Sequence, residues 1–159
     1  MTWAERVVRT YHSPRDYLDA ARAEGADAEL LAGLATVPYS FVHQAVAEHP
    51  NTRPTTLSLL IPDELHDWAD HALLATIVSH PAADADVFAR AHHKVRQALA
   101  IGKRPYRIAI TLTARGALSA DDVDVLGRLP GASARLRRGL RRALATRSDS
   151  GAAIGEHGG

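Results

Sequence analysis

The stretch Ala45-Val46-Ala47-Glu48-His49-Pro50-Asn51-Thr52-Arg53-Pro54-Thr55-Thr56-Leu57 is partly repeated downstream, and that recurrence limits the folds open to the chain. Thr76 to Val87 follows the same layout: a small-apolar run, a His-Pro break, a capping residue and a new apolar run. His49 and His80 are 31 residues apart, and Pro50 and Pro81 keep the same interval. Repetition at that period predicts a stacked helical array in which each unit buries its neighbour's apolar face.

Composition agrees with closely packed helices. Apolar residues make up 46% of 159 residues but aromatics only 5%, so the core is drawn from Leu, Val, Ile and Ala. A sheet-rich core would call for more β-branched and aromatic residues. The chain has no Cys, which excludes disulfides, thiol chemistry and cysteine-ligated clusters. No run reaches the 18 or so apolar residues of a membrane span, and the N-terminus does not resemble a signal peptide. A soluble cytoplasmic protein is the expectation, with no membrane contact and no cofactor.

Boundary signals divide the chain into helices. Thr2-Trp3-Ala4-Glu5 is a capping-box pattern, and Ser13-Pro14-Arg15-Asp16 sets a cap before a first-turn Pro. Asp27 opens a helix carrying Leu30, Leu31 and Leu34, and Pro38 opens one carrying Phe41, Val42, Ala45 and Val46. Glu48-His49-Pro50 closes it, because a residue before proline leaves the α region. Asn51 or Thr52 recaps. Asp63 to Ser79 reads as a single helix with Trp68 inward, and Asp84 caps a run that continues to Ala100.

A weaker third copy aligns Pro105-Tyr106 with Pro38-Tyr39 and Ala114-Arg115-Gly116 with Ala47-Glu48-His49. Its Tyr106, Ile108, Ile110 and Leu112 alternate as a strand would, but the alignment predicts helix. Gly116 and Gly131 read as helix-end glycines, and Ser133 recaps a last helix ending near Thr146. The expected organisation is one domain over residues 1–146, with 1–36 as N-terminal capping helices and 37–146 as repeat units. Residues 147–159 are expected to be a disordered tail.

The pattern of a small-apolar run, His-Pro-Asn-Thr-x-Pro and Leu-x-x-Leu resembles the leucine-rich repeat variant family. The likeness is good over residues 42–61, fair over 73–92 and faint over 105–129. The resemblance implies an all-α, right-handed helical-repeat solenoid of HEAT/armadillo-like units, here irregular, and carries no catalytic residues with it. Eight to ten helices are expected.

Such an array is a surface for holding a macromolecular partner, a protein by expectation. Charge is strongly polarised: residues 1–90 hold 6 Arg/Lys against 13 Asp/Glu, and residues 91–159 hold 13 against 5. The segment Ala134 to Leu144 places Leu136, Leu140, Ala143 and Leu144 on one helical face. Arg135, Arg138 and Arg142 fall on another, flanked by Arg137 and Arg141. With Arg104, residues Arg135, Arg138, Arg141 and Arg142 form the candidate binding set, for a partner's acidic surface or for phosphates. The alternative is a solvated face of an Arg-rich chain. Sequence-non-specific nucleic-acid binding through this half is the second functional reading, and head-to-tail self-association of the oppositely charged ends is a further one.

Nine histidines offer no pair spaced three or four residues apart, the arrangement that aims two imidazoles at one metal. Within His66-Asp67-Trp68-Ala69-Asp70-His71, the pairs His66/Asp70 and Asp67/His71 have helical spacing. A metal-dependent hydrolase around His66, Asp67, Asp70 and His71 is therefore the third reading, against a polar helix face. His49 and His80 are expected to stabilise helix-end carbonyls. The aromatic residues are too dispersed in sequence for an evident stacking platform.

Overall fold

The computed structural model describes residues 11–155, with the backbone alone described for 150–155. The Thr2–Glu5 capping pattern lies outside the described residues, as do residues 156–159 of the expected tail. Nine α-helices and no strand occur among the described residues: α1 Pro14–Arg22, α2 Ala28–Leu34, α3 Ser40–Glu48, α4 Pro54–Leu60, α5 Trp68–Ser79, α6 Ala85–Ala100, α7 Tyr106–Ala114, α8 Ala120–Gly127 and α9 Ala134–Gly155. The protein is all-α.

Local chemistry sets most of these boundaries. Ser13 and Asp16 close a reciprocal capping box on α1, and Ser119 and Asp122 do so on α8. Asp27 and Asp84 accept the third amides of α2 and α6. The alternating segment after Pro105 is helical because Ile108, Ala109 and Leu112 all point inward on one helical face.

Three boundaries differ from the sequence reading. The expected helix Asp63–Ser79 begins only at Trp68, because Asp67 and Asp70 form a capping box that stops the helix from extending back. Neither Asn51 nor Thr52 caps α4, whose N-cap is Arg53. Thr52 is buried and donates its hydroxyl to the Val46 carbonyl at the end of α3, while Asn51 donates to the Ala26 carbonyl in the loop between α1 and α2. Finally, α9 continues past Thr146 to Gly155.

Successive odd-numbered helices pack against one another, α1 on α3, α3 on α5, α5 on α7 and α7 on α9. They run parallel. Gln44 of α3 reaches Thr76 of α5, and His49 at the end of α3 meets His80 at the end of α5. Likewise Tyr106 reaches Gly131 just before α9, Ile110 lies against Gly139, and Thr113 accepts from Arg147. Of the even-numbered helices, α4 packs on α6, with Ser58 donating to Asp86.

One continuous core of Leu, Val, Ile and Ala runs between the helices, including Leu31, Leu57, Leu74, Leu99, Leu112, Leu126 and Leu140. Full burial of each such Leu stabilises the fold by about 1.5–3 kcal/mol. Two glycines set the closeness of the C-terminal packing. A Cβ on Gly131 would sit 2.2 Å from the Lys103 carbonyl oxygen, so Gly131 serves a backbone approach and not the helix end assigned to it from sequence. A Cβ on Gly139 would sit 2.6 Å from Ile110 Cδ1. Gly116 does end a helix, at φ +80°.

Candidate partner-binding surface

The odd helices are joined at their C-terminal ends by side chains that reach back to the helix before. His49 Nε2 lies 2.9 Å from the Ala23 carbonyl, and His80 Nε2 lies 2.8 Å from the His49 carbonyl. The other ring nitrogen of each accepts a backbone N–H, from Asn51 at 3.0 Å and Ala82 at 2.9 Å. Because those amides must donate, both rings carry their proton on Nε2 and donate it to the carbonyl. Both histidines stand at the ends of their own helices and bond helix-end carbonyls, as the sequence reading had them; the carbonyl each reaches belongs to the preceding odd helix.

In the next two positions arginine takes over. Arg115 donates through one guanidinium nitrogen to the carbonyls of Val78 (2.8 Å) and His80 (2.7 Å), and its guanidinium lies 5.1 Å from the Phe88 ring centre. Arg147 donates to the carbonyls of Thr113 (3.1 Å) and Leu118 (2.7 Å). These two cations are structural, and neither was singled out from sequence.

The arginines that were singled out behave differently. Leu136 and Leu140 on α9 are fully buried, and Gly139 faces α7, which turns the rest of the helix outward. Arg104, Arg135, Arg138, Arg141 and Arg142 are all exposed, and none forms a side-chain hydrogen bond or ion pair with a described residue. The structure divides them. At about 100° per residue, Arg135 and Arg142 flank the α7 side of α9. Arg141 and Arg137 lie toward α8, around a cleft of about 180 Å³ that also holds Asp124. Arg137 donates to the Gly127 carbonyl. The α7–α9 register, with Tyr106 beside Gly131 and Ile110 beside Gly139, brings Arg135 level with the first turn of α7.

Arg104 and Arg107 line a second cleft, of about 230 Å³, with His71 of α5. Three residues before His71, Trp68 stands 82% exposed, in contrast to the core position expected from sequence. The late start of α5 explains it: Trp68 is the first helical residue, beyond the reach of the neighbouring helices that cover Leu73 and Leu74. Leu59 and Ile101 are also largely exposed.

The aromatic residues are less dispersed in space than in sequence. Tyr11, Tyr17, Tyr39 and Phe41 form a row with ring centres 5.3, 5.9 and 5.6 Å apart along the first two odd helices. Separations of this order favour tilted or offset contacts worth about 0.5–1.5 kcal/mol each.

The histidine-rich middle does not assemble. His66 pairs with Glu64 at 3.2 Å, and Asp67 and Asp70 accept backbone amides in the α5 capping box. His71 faces the cleft shared with Arg104. Among the described residues no group of three or more His, Asp or Glu is placed to hold a metal ion. His92 has a buried Nε2 with no partner, and burial pushes its pKa below the ordinary 6.5. Asp122 opposes that shift, while Arg96 and His93 reinforce it. The half-buried Asp122 is itself held below the usual carboxylate range, chiefly by the Ser119 amide. No helix among the described residues is long and apolar enough to cross a membrane. No protein family, no curated protein and no solved structure matches this chain.

Proposed function

We propose that the chain is a non-catalytic, right-handed helical-repeat scaffold that binds a protein partner. One observation carries the reading: a tryptophan 82% exposed on the first turn of α5, three residues before the His71 that shares a cleft with Arg104 and Arg107. Trp and Arg are the residues most enriched among those that dominate binding energy at interfaces. A ring so exposed adds little to folding and is free to enter a partner's pocket, the role in which Trp contributes most. The parallel stacking of the odd helices and their chain of end-to-end hydrogen bonds support the repeat assignment. The polarised charge would steer encounter and orientation more than it would set affinity.

A second reading, sequence-non-specific nucleic-acid binding, is supported by the exposed, unpaired Arg104, Arg135, Arg138 and Arg142. It requires that affinity fall steeply with salt, since each neutralised phosphate releases counterions. One experiment separates the two. Wild-type protein and Trp68→Ala are compared in affinity capture from native extract before and after nuclease treatment. A protein retained by the wild type, lost by Trp68→Ala and indifferent to nuclease supports the scaffold. Retention of nucleic acid that disappears with Arg138→Ala/Arg142→Ala supports the second reading. Identical capture by wild type and Trp68→Ala refutes the first.

A further inference from the structure

We propose that the cleft between α5 and α7 binds a phosphate monoester, presented as a phosphorylated side chain of the protein partner. This deepens the scaffold reading and rests on it. The cleft, about 230 Å³, opens where the start of α7 meets the first turns of α5. His71, Arg104 and Arg107 stand on its wall beside Ala72 and Ile108.

Its charge sets it apart. Four other clefts on the described surface each include a carboxylate: Asp63 and Glu64, Asp16 and Asp19, Glu24 and Glu48, or Asp124. This one has two guanidiniums and an imidazole and no Asp or Glu on its wall. None of the three side chains is engaged with another described residue, unlike Arg115 and Arg147, which are committed to carbonyls. Three cationic or ionisable groups turned toward one recess, with nothing opposite, are a site awaiting negative charge.

The form of that charge follows from the count. A phosphate monoester carries about −1.5 to −2 at neutral pH and three acceptor oxygens, which matches two forked guanidiniums. A nucleic-acid diester offers a single charge per phosphate, and a carboxylate offers one charge on two oxygens. The α7 N-terminus adds to the match: Pro105 supplies no side-chain cap, so the positive end of that nine-residue helix faces the same edge. Trp68, one turn before His71, supplies an apolar surface for the residues flanking a phosphorylated position.

The test uses the full chain with Trp3→Phe, which leaves Trp68 as its one tryptophan. O-phosphoserine is titrated with Trp68 fluorescence and calorimetric heat as parallel readouts, against serine, dimethyl phosphate and a single-stranded decanucleotide. Saturable binding of phosphoserine, absent for serine and dimethyl phosphate, is expected. Arg104→Gln/Arg107→Gln should weaken it at least about tenfold, the loss of one charged hydrogen bond. Both side chains are exposed, so an unchanged circular dichroism spectrum is expected for that variant. Absence of saturation by both readouts overturns the proposal, as does equal binding by the double variant. Saturation by the decanucleotide without phosphoserine overturns it in favour of nucleic acid. Loss of the phosphate result while Trp68→Ala still loses its protein partner removes the site and leaves the scaffold standing.

Discussion

Replacing His80 by Ala should cost the protein about 3 kcal/mol. The ring is 5% exposed and makes two hydrogen bonds, donating to the His49 carbonyl and accepting from the Ala82 amide. Truncation strands the Ala82 amide, removes one of the two donors to the His49 carbonyl, which keeps the Thr52 amide, and empties the buried site of the ring. The lost bond to the carbonyl, the half-buried amide left without its acceptor and the vacated ring volume cost about 1 kcal/mol each. At a urea slope of about 2 kcal/mol/M the midpoint should fall by roughly 1.5 M, with the slope unchanged. Melting should drop by about 9 °C, taking about 3 °C per kcal/mol for a chain of this length. His80→Gln keeps a donor near Nε2 but loses the Nδ1 acceptor, so it should recover the larger share. Urea unfolding followed by circular dichroism at 222 nm measures all three proteins. A loss below about 1 kcal/mol for His80→Ala, or a Gln variant no better than Ala, would refute the bridging role.

Gly131→Ala should destabilise strongly, by at least about 2 kcal/mol, because the new Cβ meets two backbone carbonyls, of Lys103 and Leu99, that cannot swing aside. Gly139→Ala meets only the end of the Ile110 side chain and should cost less; equal losses in thermal melts would contradict the distinction. His92 should make the fold acid-sensitive. Its folded pKa lies below its unfolded value, so the unfolded state binds more protons in the window below pH 6.5, and stability declines as pH falls through it. In His92→Gln, unfolding free energies between pH 7 and pH 5 should fall less steeply than in the wild type. A steeper fall would reverse the sign assigned here.

What the sequence disclosed was local. Ser13, Asp27 and Asp84 are readable as caps because each acts on an amide three residues away. The buried face of α9 followed from helical spacing for the same reason, whereas α7 was legible as a helix only through its alignment with the first copy. Trp68 was misplaced because an apolar residue beside apolar neighbours gives no sign of which side of a helix start it occupies. That start depended on Asp67 and Asp70, whose carboxylates look the same as caps or as ligands until the backbone is placed. The aromatic row joins residues as far apart as Tyr17 and Tyr39, and the α5–α7 cleft joins His71 to Arg104. Neither pairing leaves a trace in linear order.

The bridging side chains show how an irregular sequence keeps one packing geometry. Donor and acceptor are separated by 26 residues at His49, 31 at His80, 35 at Arg115 and 34 at Arg147. A strict sequence period is therefore not what the packing requires. Each link needs only a donor on one odd helix level with the end of the helix before it, and a carbonyl there whose second lone pair is open: those of Ala23, His49, His80 and Thr113 each take one turn amide and have room for the side chain. The intervening even helix is free to be 7 residues long, as α4 is, or 16, as α6 is. The donor can be imidazole or guanidinium, provided its reach suits the gap. Histidine, being short, needs the His-Pro turn that lifts its ring across the junction and supplies the amide for its second nitrogen. Arginine is long enough to cross from the helix end itself, which is why the junction at Arg115 needs no proline. The loss of the His-Pro signal in the third copy thus marks a change of donor and no break in the stacking, since α5 packs on α7 as α3 packs on α5.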